Sequence, residues 1–170
     1  MQLSNFTGKT VAIMVASGFD EDIFIAIQRA MMSVNAKLRV ISRDAGLTNA
    51  WNGSGWGMSY PVDSTLSTTL AIDYDALIIP SGERHVTTLS PEAHAKRLMR
   101  AFTREEMPVL VLEEASALLE LVDLAAPVRE GETGVGVDGK LVVAGRENLD
   151  AALAALNTVL LSEDGESVAA

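Results

Sequence analysis

The sequence predicts an α/β domain of three layers, with helices on both faces of a mostly parallel sheet. Three observations predict it. Apolar runs without interruption recur at Val11–Val15, Ala76–Ile79 and Val109–Leu112, and such runs suit strands covered on both sides, as parallel strands are. Segments with helical spacing of apolar residues separate these runs, so strands and helices alternate along the chain. The 170 residues suffice for one core without metals, and with no cysteine there are no disulfides either.

Lys9–Val15 reads as the first strand. Asp20–Val34 reads as a helix. Asp20, Glu21 and Asp22 crowd its first turn, where the dipole favours anions, and Ile23, Ile27, Ala30, Met31 and Val34 recur at helical spacing. Leu38–Ser42 is a second short strand. Residues 45–70 break the rhythm: Gly46, Gly53, Gly55 and Gly57 interleave with Trp51 and Trp56, which predicts a loop with a small hairpin. Ala76–Pro80 resumes the strand signature, and a Ser81-Gly82 loop follows. Ser90-Pro91 predicts a helix start, serine as cap and proline at the first position, with Ala95, Leu98, Met99 and Phe102 as the buried stripe. Pro108–Leu112 is the next strand. A turn at Glu113-Glu114 leads to a short helix from about Ser116. Thr133–Val137 and Lys140–Val143 flank Asp138-Gly139, a hairpin signal. The last helix runs from about Asn148 to Leu161, with Leu149, Leu153, Leu156 and Leu160 on one face. One domain over residues 1–161 and an acidic, flexible tail over 162–170 are expected.

Charge and composition narrow the function. Acidic residues outnumber basic ones 23 to 13, for a net charge of −10. Nucleic acid and anionic membrane surfaces are therefore not expected partners. No apolar run approaches the roughly 18 residues of a membrane helix. No basic region followed by an apolar run opens the chain, so a cytoplasmic location is expected. The absence of cysteine removes thiolate nucleophiles and Cys-ligated metals. His85 and His94 are the two histidines, and neither has ligand-like neighbours, so neither a metal nor any other cofactor is expected. Gly134, Gly136 and Gly139 match G-x-G-x-x-G, but the third completes a turn between strands instead of opening a helix. Gly8-Lys9-Thr10 resembles the end of a phosphate loop, but Leu3 stands where its first glycine belongs.

Ligands of α/β sheets bind at the carboxyl ends of the strands. That rule singles out Asp20, Ser81, Gly82, His85, Glu113 and Glu114. Glu113 directly follows an apolar strand at a tight turn, a rigid and exposed support. A carboxylate there is a poor nucleophile unless desolvated, and desolvation raises its pKa. Paired with Asp20, it could share a proton and act as acid and base. A plainer alternative has Asp20 capping its helix and Glu113 accepting from backbone amides. His85, in the loop after a strand, could assist, while His94 borders the polar face of its helix. Ile25 and Met32 lie seven residues apart, opposite the core stripe of their helix. Apolar residues in register there suggest a twofold homodimer contact, the alternative being a covering loop.

These residues carry a resemblance. Lys9–Val15 with Ser17-Gly18-Phe19-Asp20, the stretch Tyr74-Asp75-Ala76-Leu77-Ile78-Ile79-Pro80-Ser81-Gly82, and Pro108–Leu112 with its turn resemble the ThiJ/PfpI superfamily, which is related to class I glutamine amidotransferases. The resemblance covers about residues 8–160 and implies a flavodoxin-like fold. Within the superfamily, Pro61-Val62-Asp63-Ser64-Thr65-Leu66 leading to Tyr74-Asp75-Ala76 is most similar to the C-terminal domain of large-subunit catalases. Enzymes of the superfamily use a cysteine at the strand-to-helix turn, helped by a glutamate in the first loop. The resemblance places Glu113 at the cysteine position and Asp20 at the glutamate position, and Glu114-Ala115-Ser116 is one residue short of the usual glycine-containing turn. The family's thiol chemistry then cannot run. The catalase domains also lack that nucleophile, and their role is stabilising, with chaperone-like behaviour proposed.

The expectation is a non-enzymatic, stress-protective, chaperone-like or binding protein, working as a homodimer through Ile25 and Met32, on protein clients or a small-molecule ligand. The alternatives are a cysteine-independent hydrolase or lyase using Glu113 and Asp20, or small-molecule binding at the degenerate site by Ser81, Gly82, His85 and Glu114.

Overall fold

The first apolar run serves two cores at once. Val11, Ile13 and Val15 enter one cluster and Ala12, Met14 and Ala16 the other, because successive side chains of a strand point to opposite faces. A sheet built from such strands must be covered on both sides. The computed structural model describes residues 3–169, with side chains through residue 160, so the acidic stretch expected as a tail lies outside the fully described residues. Among the described residues, no helix is long and apolar enough to cross a membrane.

In chain order the elements are β1 (Thr10–Met14), β2 (Phe19–Asp20), α1 (Glu21–Ser33), β3 (Lys37–Ser42), β4 (Leu47–Trp51), β5 (Trp56–Pro61) and β6 (Ser64–Thr65). Then come β7 (Ala76–Ile79), α2 (Glu83–Leu89), α3 (Ala93–Arg104), β8 (Val109–Leu112), β9 (Val135–Asp138), β10 (Leu141–Ala144) and α4 (Leu149–Ala169). The main sheet has seven strands in the order β6-β3-β1-β7-β8-β10-β9. All neighbours are parallel except β9, which pairs antiparallel with β10. The five long parallel strands thus follow the flavodoxin-like order 2-1-3-4-5, whose switch point lies between the first and third strands, β1 and β7. Helices α1 and α4 cover one face and α2 and α3 the other, which completes the three-layer α/β sandwich.

The break at residues 45–70 is more ordered than a loop. β4 and β5 form an antiparallel hairpin, and β2 joins it in a second, three-stranded sheet. Its anchor is aromatic: Tyr60 packs on Phe24 of α1 and on Phe19, with ring centroids 4.6 and 5.9 Å apart. Glu21, at the start of α1, accepts from the Met58 N–H at 2.8 Å.

Two expectations are corrected. Ser90-Pro91 does not open a helix. α2 occupies residues 83–89, and Ser90 stays helical, its hydroxyl donating back to the Val86 carbonyl at 2.8 Å. A serine hydroxyl satisfies such a carbonyl as readily as it caps a new helix. The cap of α3 is Glu92, which accepts from the His94 N–H at 3.3 Å. The second correction concerns His85, which belongs to α2 and not to a loop.

Candidate functional site

Four loops leave the carboxyl ends of β1, β7, β8 and β10, and their side chains meet over the switch point. The first two loops are tied twice. The Asp20 N–H donates to the Ser81 carbonyl at 3.0 Å, and the Ser81 hydroxyl donates to Asp20 Oδ2 at 2.6 Å. Asp20 stands at the helix boundary but makes no side-chain capping bond to α1; its carboxylate turns to Ser81 and Arg146 instead. Gly82 is required where the loops touch. Its φ is +135°, and a Cβ there would lie 2.8 Å from the Gly18 carbonyl oxygen and from Phe19 Cα.

Glu113 follows β8 with φ of +47°, a left-handed backbone uncommon for a glutamate. It begins a 3₁₀ helix over Glu113–Val122, whose Ala115, Leu118, Leu119 and Val122 are buried. The Glu113 carboxylate accepts from the backbone N–H of Arg146 at 2.9 Å. Gly145 permits this approach, because a Cβ there would stand 2.6 Å from Glu113 Oε1.

Arg146 gathers the remaining charges. Its Nη2 donates to both oxygens of Glu114, at 2.7 and 2.8 Å, and its Nε donates to Asp20 Oδ2 at 3.1 Å. Glu114 also accepts from the Gly82 N–H at 3.1 Å. Partial burial alone would raise the Glu114 carboxyl, but the Arg146 guanidinium and the backbone N–H of Gly82 outweigh it and hold the group below its ordinary value. Arg146 is held above its own, the two carboxylates outweighing burial.

The arrangement brings together Asp20, Ser81, Gly82, Glu113 and Glu114, but not as a carboxylate pair. Among the described residues no hydrogen bond joins Asp20 to Glu113; each bonds a different part of Arg146. An acid that must deliver a proton near neutral pH needs a raised pKa, and the one carboxylate here with a resolved shift, Glu114, moves the other way. The adjoining cleft, about 480 Å³, sets the carboxylates of Asp20, Glu21, Asp22, Glu83, Glu114 and Glu147 against Arg146 alone. Among the described residues, no group of three His, Cys, Asp or Glu side chains is placed to hold a metal.

His85 lies inside the protein, 0% exposed. Its Nδ1 accepts from the Ala16 N–H at 3.2 Å, so Nε2 carries the proton and donates to the Pro80 carbonyl at 2.6 Å. Burial pushes the imidazole down to about 4, against partial support from Pro80, Asp20 and Glu114. The histidine expected beside a ligand instead fastens the end of β1 to the end of β7. On α1, Met32 is 70% exposed, whereas Ile25 is half-buried, so only one of the two expected interface residues stands fully in solvent.

Arg146 escaped the sequence analysis. Lys140–Val143 reads as one half of a hairpin, which gives no sign of a strand end beside the site. β10 also pairs parallel with β8, and that pairing puts Arg146 at the site edge.

No protein-family model matches the chain, and no curated protein matches it in sequence. Solved structures do match it in fold. A two-domain protein with DJ-1/ThiJ/PfpI-like and ferritin-like domains from Anabaena variabilis superposes with a TM-score of 0.75 at 19% identity, over 92% of this chain and 48% of that one. A ThiJ/PfpI domain protein from Brachyspira murdochii gives 0.73 at 17% identity, covering 92% of this chain and 98% of that one. A cysteine-to-alanine mutant of a DJ-1 superfamily protein from Salmonella typhimurium gives 0.69 at 18% identity, covering 94% and 97%. The chain therefore has the DJ-1/ThiJ/PfpI-like fold, carried by a sequence without cysteine.

Proposed function

We propose that this is a non-enzymatic protein of the DJ-1/ThiJ/PfpI-like fold, which protects other proteins under stress by binding them. The observation that carries this reading is Arg146. It holds Asp20 and Glu114 with its side chain and Glu113 with its backbone, so the three acids expected to carry the site are already engaged. Without a thiolate, the site offers no nucleophile of the expected kind. The resemblance to catalase C-terminal domains points the same way. The working surfaces are apolar: Trp56 and Met58 on the hairpin take client segments, and the Ile25/Met32 side of α1 pairs with a second copy.

The test is suppression of light scattering by a heat-denatured client enzyme, alongside sedimentation of the free protein. Trp56→Ser with Met58→Ser is expected to weaken suppression, and Ile25→Lys with Met32→Glu to yield monomers. Suppression and mass both indifferent to these changes would remove the reading.

One observation favours a second reading. The left-handed backbone of Glu113 is the kind of strain that catalytic turns store, and it would suit a hydrolase or lyase using Glu113 with Asp20. A bell-shaped pH profile on some substrate, lost in Glu113→Gln, would support it.

A further inference from the structure

Next to the strand-end site lies a second cleft, which shares Trp51 and Glu83 with it but is built on Arg84 and Trp56, which have no part there. Trp51 closes β4 and Trp56 opens β5, and their rings meet edge to face with centroids 5.3 Å apart. The guanidinium of Arg84, in the first turn of α2, lies over the Trp51 ring, 4.1 Å from its centroid and 6.0 Å from that of Trp56. This approach depends on Gly18, whose φ is +104° and whose missing Cβ would otherwise collide with Arg84 Cβ. Between them opens a cleft of about 680 Å³, bordered also by Ser17, Glu83 and Thr87. That is the size of cleft that takes a small organic ligand.

The chemistry of the walls defines what fits. Among the described residues, no carboxylate lies within ion-pair distance of Arg84. Stacking on Trp51 uses a face of the guanidinium and leaves the N–H donors along its edge, in the geometry that takes a carboxylate side-on. The stack also holds the side chain in place before any ligand arrives, which reduces the ordering cost of binding. Trp56, 55% exposed, offers a broad apolar surface beside it. Glu83 at the rim, and the net charge of −10, disfavour a multiply charged anion.

We propose that this cleft binds a small monocarboxylate with a flat apolar body, Arg84 holding the carboxylate and the two tryptophans the body. The site does not use Glu113, and it shares Trp56 with the surface proposed for clients.

The experiment uses the full chain and its own fluorescence. Trp51 and Trp56 are its two tryptophans and both line this cleft, so indole emission reports on it. Benzoate is the probe, with benzyl alcohol as its uncharged counterpart and inorganic phosphate as an anion without a ring. Benzoate is expected to change the emission saturably. Arg84→Met, benzyl alcohol and phosphate should each weaken binding at least about tenfold, the scale of one charge-assisted contact. Arg84 is exposed, so Arg84→Met should keep the wild-type melting temperature. A non-saturable benzoate response, an unchanged affinity in Arg84→Met, or equal affinity for benzyl alcohol or phosphate would each overturn the proposal.

Discussion

Replacing His85 with leucine should cost stability in a way that depends on pH, and the structure sets both the size and the sign. At neutral pH, the change orphans the Ala16 N–H and the Pro80 carbonyl, each partnered by the imidazole at 3.2 and 2.6 Å. Buried groups left unpaired cost about 1–3 kcal/mol each. The added apolar packing offsets part of that, leaving about 3 kcal/mol. The wild-type protein carries its own penalty in acid. Its imidazole is held at about 4 against an ordinary 6.5, a difference of about 3 kcal/mol between the protonation states. Because the folded value is depressed, the unfolded chain takes up the proton first. The stability that comes from a neutral His85 is therefore complete above about pH 6.5 and lost as pH falls toward about 4. His85→Leu has no such loss. Urea denaturation of both proteins across this range should show a gap of about 3 kcal/mol at neutral pH that closes near pH 4. A gap that stays constant with pH, or an imidazole that titrates near its ordinary value by NMR, would refute the reasoning.

Arg146→Met should lower stability by about 1 kcal/mol at pH 7 and low salt, since the cluster is partly solvent-exposed. That corresponds to a drop in Tm of about 2–4 °C for a chain of this size. Glu114 is held low, so this contribution exists above the ordinary carboxylate range and disappears as pH falls through the folded value. Melting curves should accordingly converge in acid and in high salt. Gly82→Ala should cost about 2 kcal/mol or more, because its φ of +135° is strained for alanine and the new methyl meets the backbone of Gly18 and Phe19. An unchanged melting temperature would mean that the two loops are not packed as described.

How much of this was legible in the sequence depends on which force placed each residue. Runs such as Val109–Leu112 read as strands because every residue is buried by one of two cores, which leaves no polar position. α3 read clearly because Ala95, Leu98, Met99 and Phe102 form one narrow stripe. α2 did not, since seven residues with apolar Val86 and Leu89 show no period, and its buried third member, His85, looks polar in a sequence. The small hairpin expected in residues 45–70 is present as β4 and β5, but its extent and its joining with β2 were not legible. Most of β5 remains solvated, and it is held by Tyr60 against Phe24 and by Glu21 in place of a continuous buried face.

At the site, the rule about strand ends found Asp20, Ser81, Gly82, Glu113 and Glu114. It missed Arg146, because a strand inside a hairpin does not announce a second, parallel neighbour. That one omission changes the reading of the others, from acids open to a substrate to acids already hydrogen-bonded to Arg146.

The most direct measurement of the central claim is the consumption of a small dicarbonyl compound by the purified protein and by Glu113→Ala. The account predicts that both match the uncatalysed rate. Saturable consumption by the wild-type chain that vanishes in Glu113→Ala would contradict it.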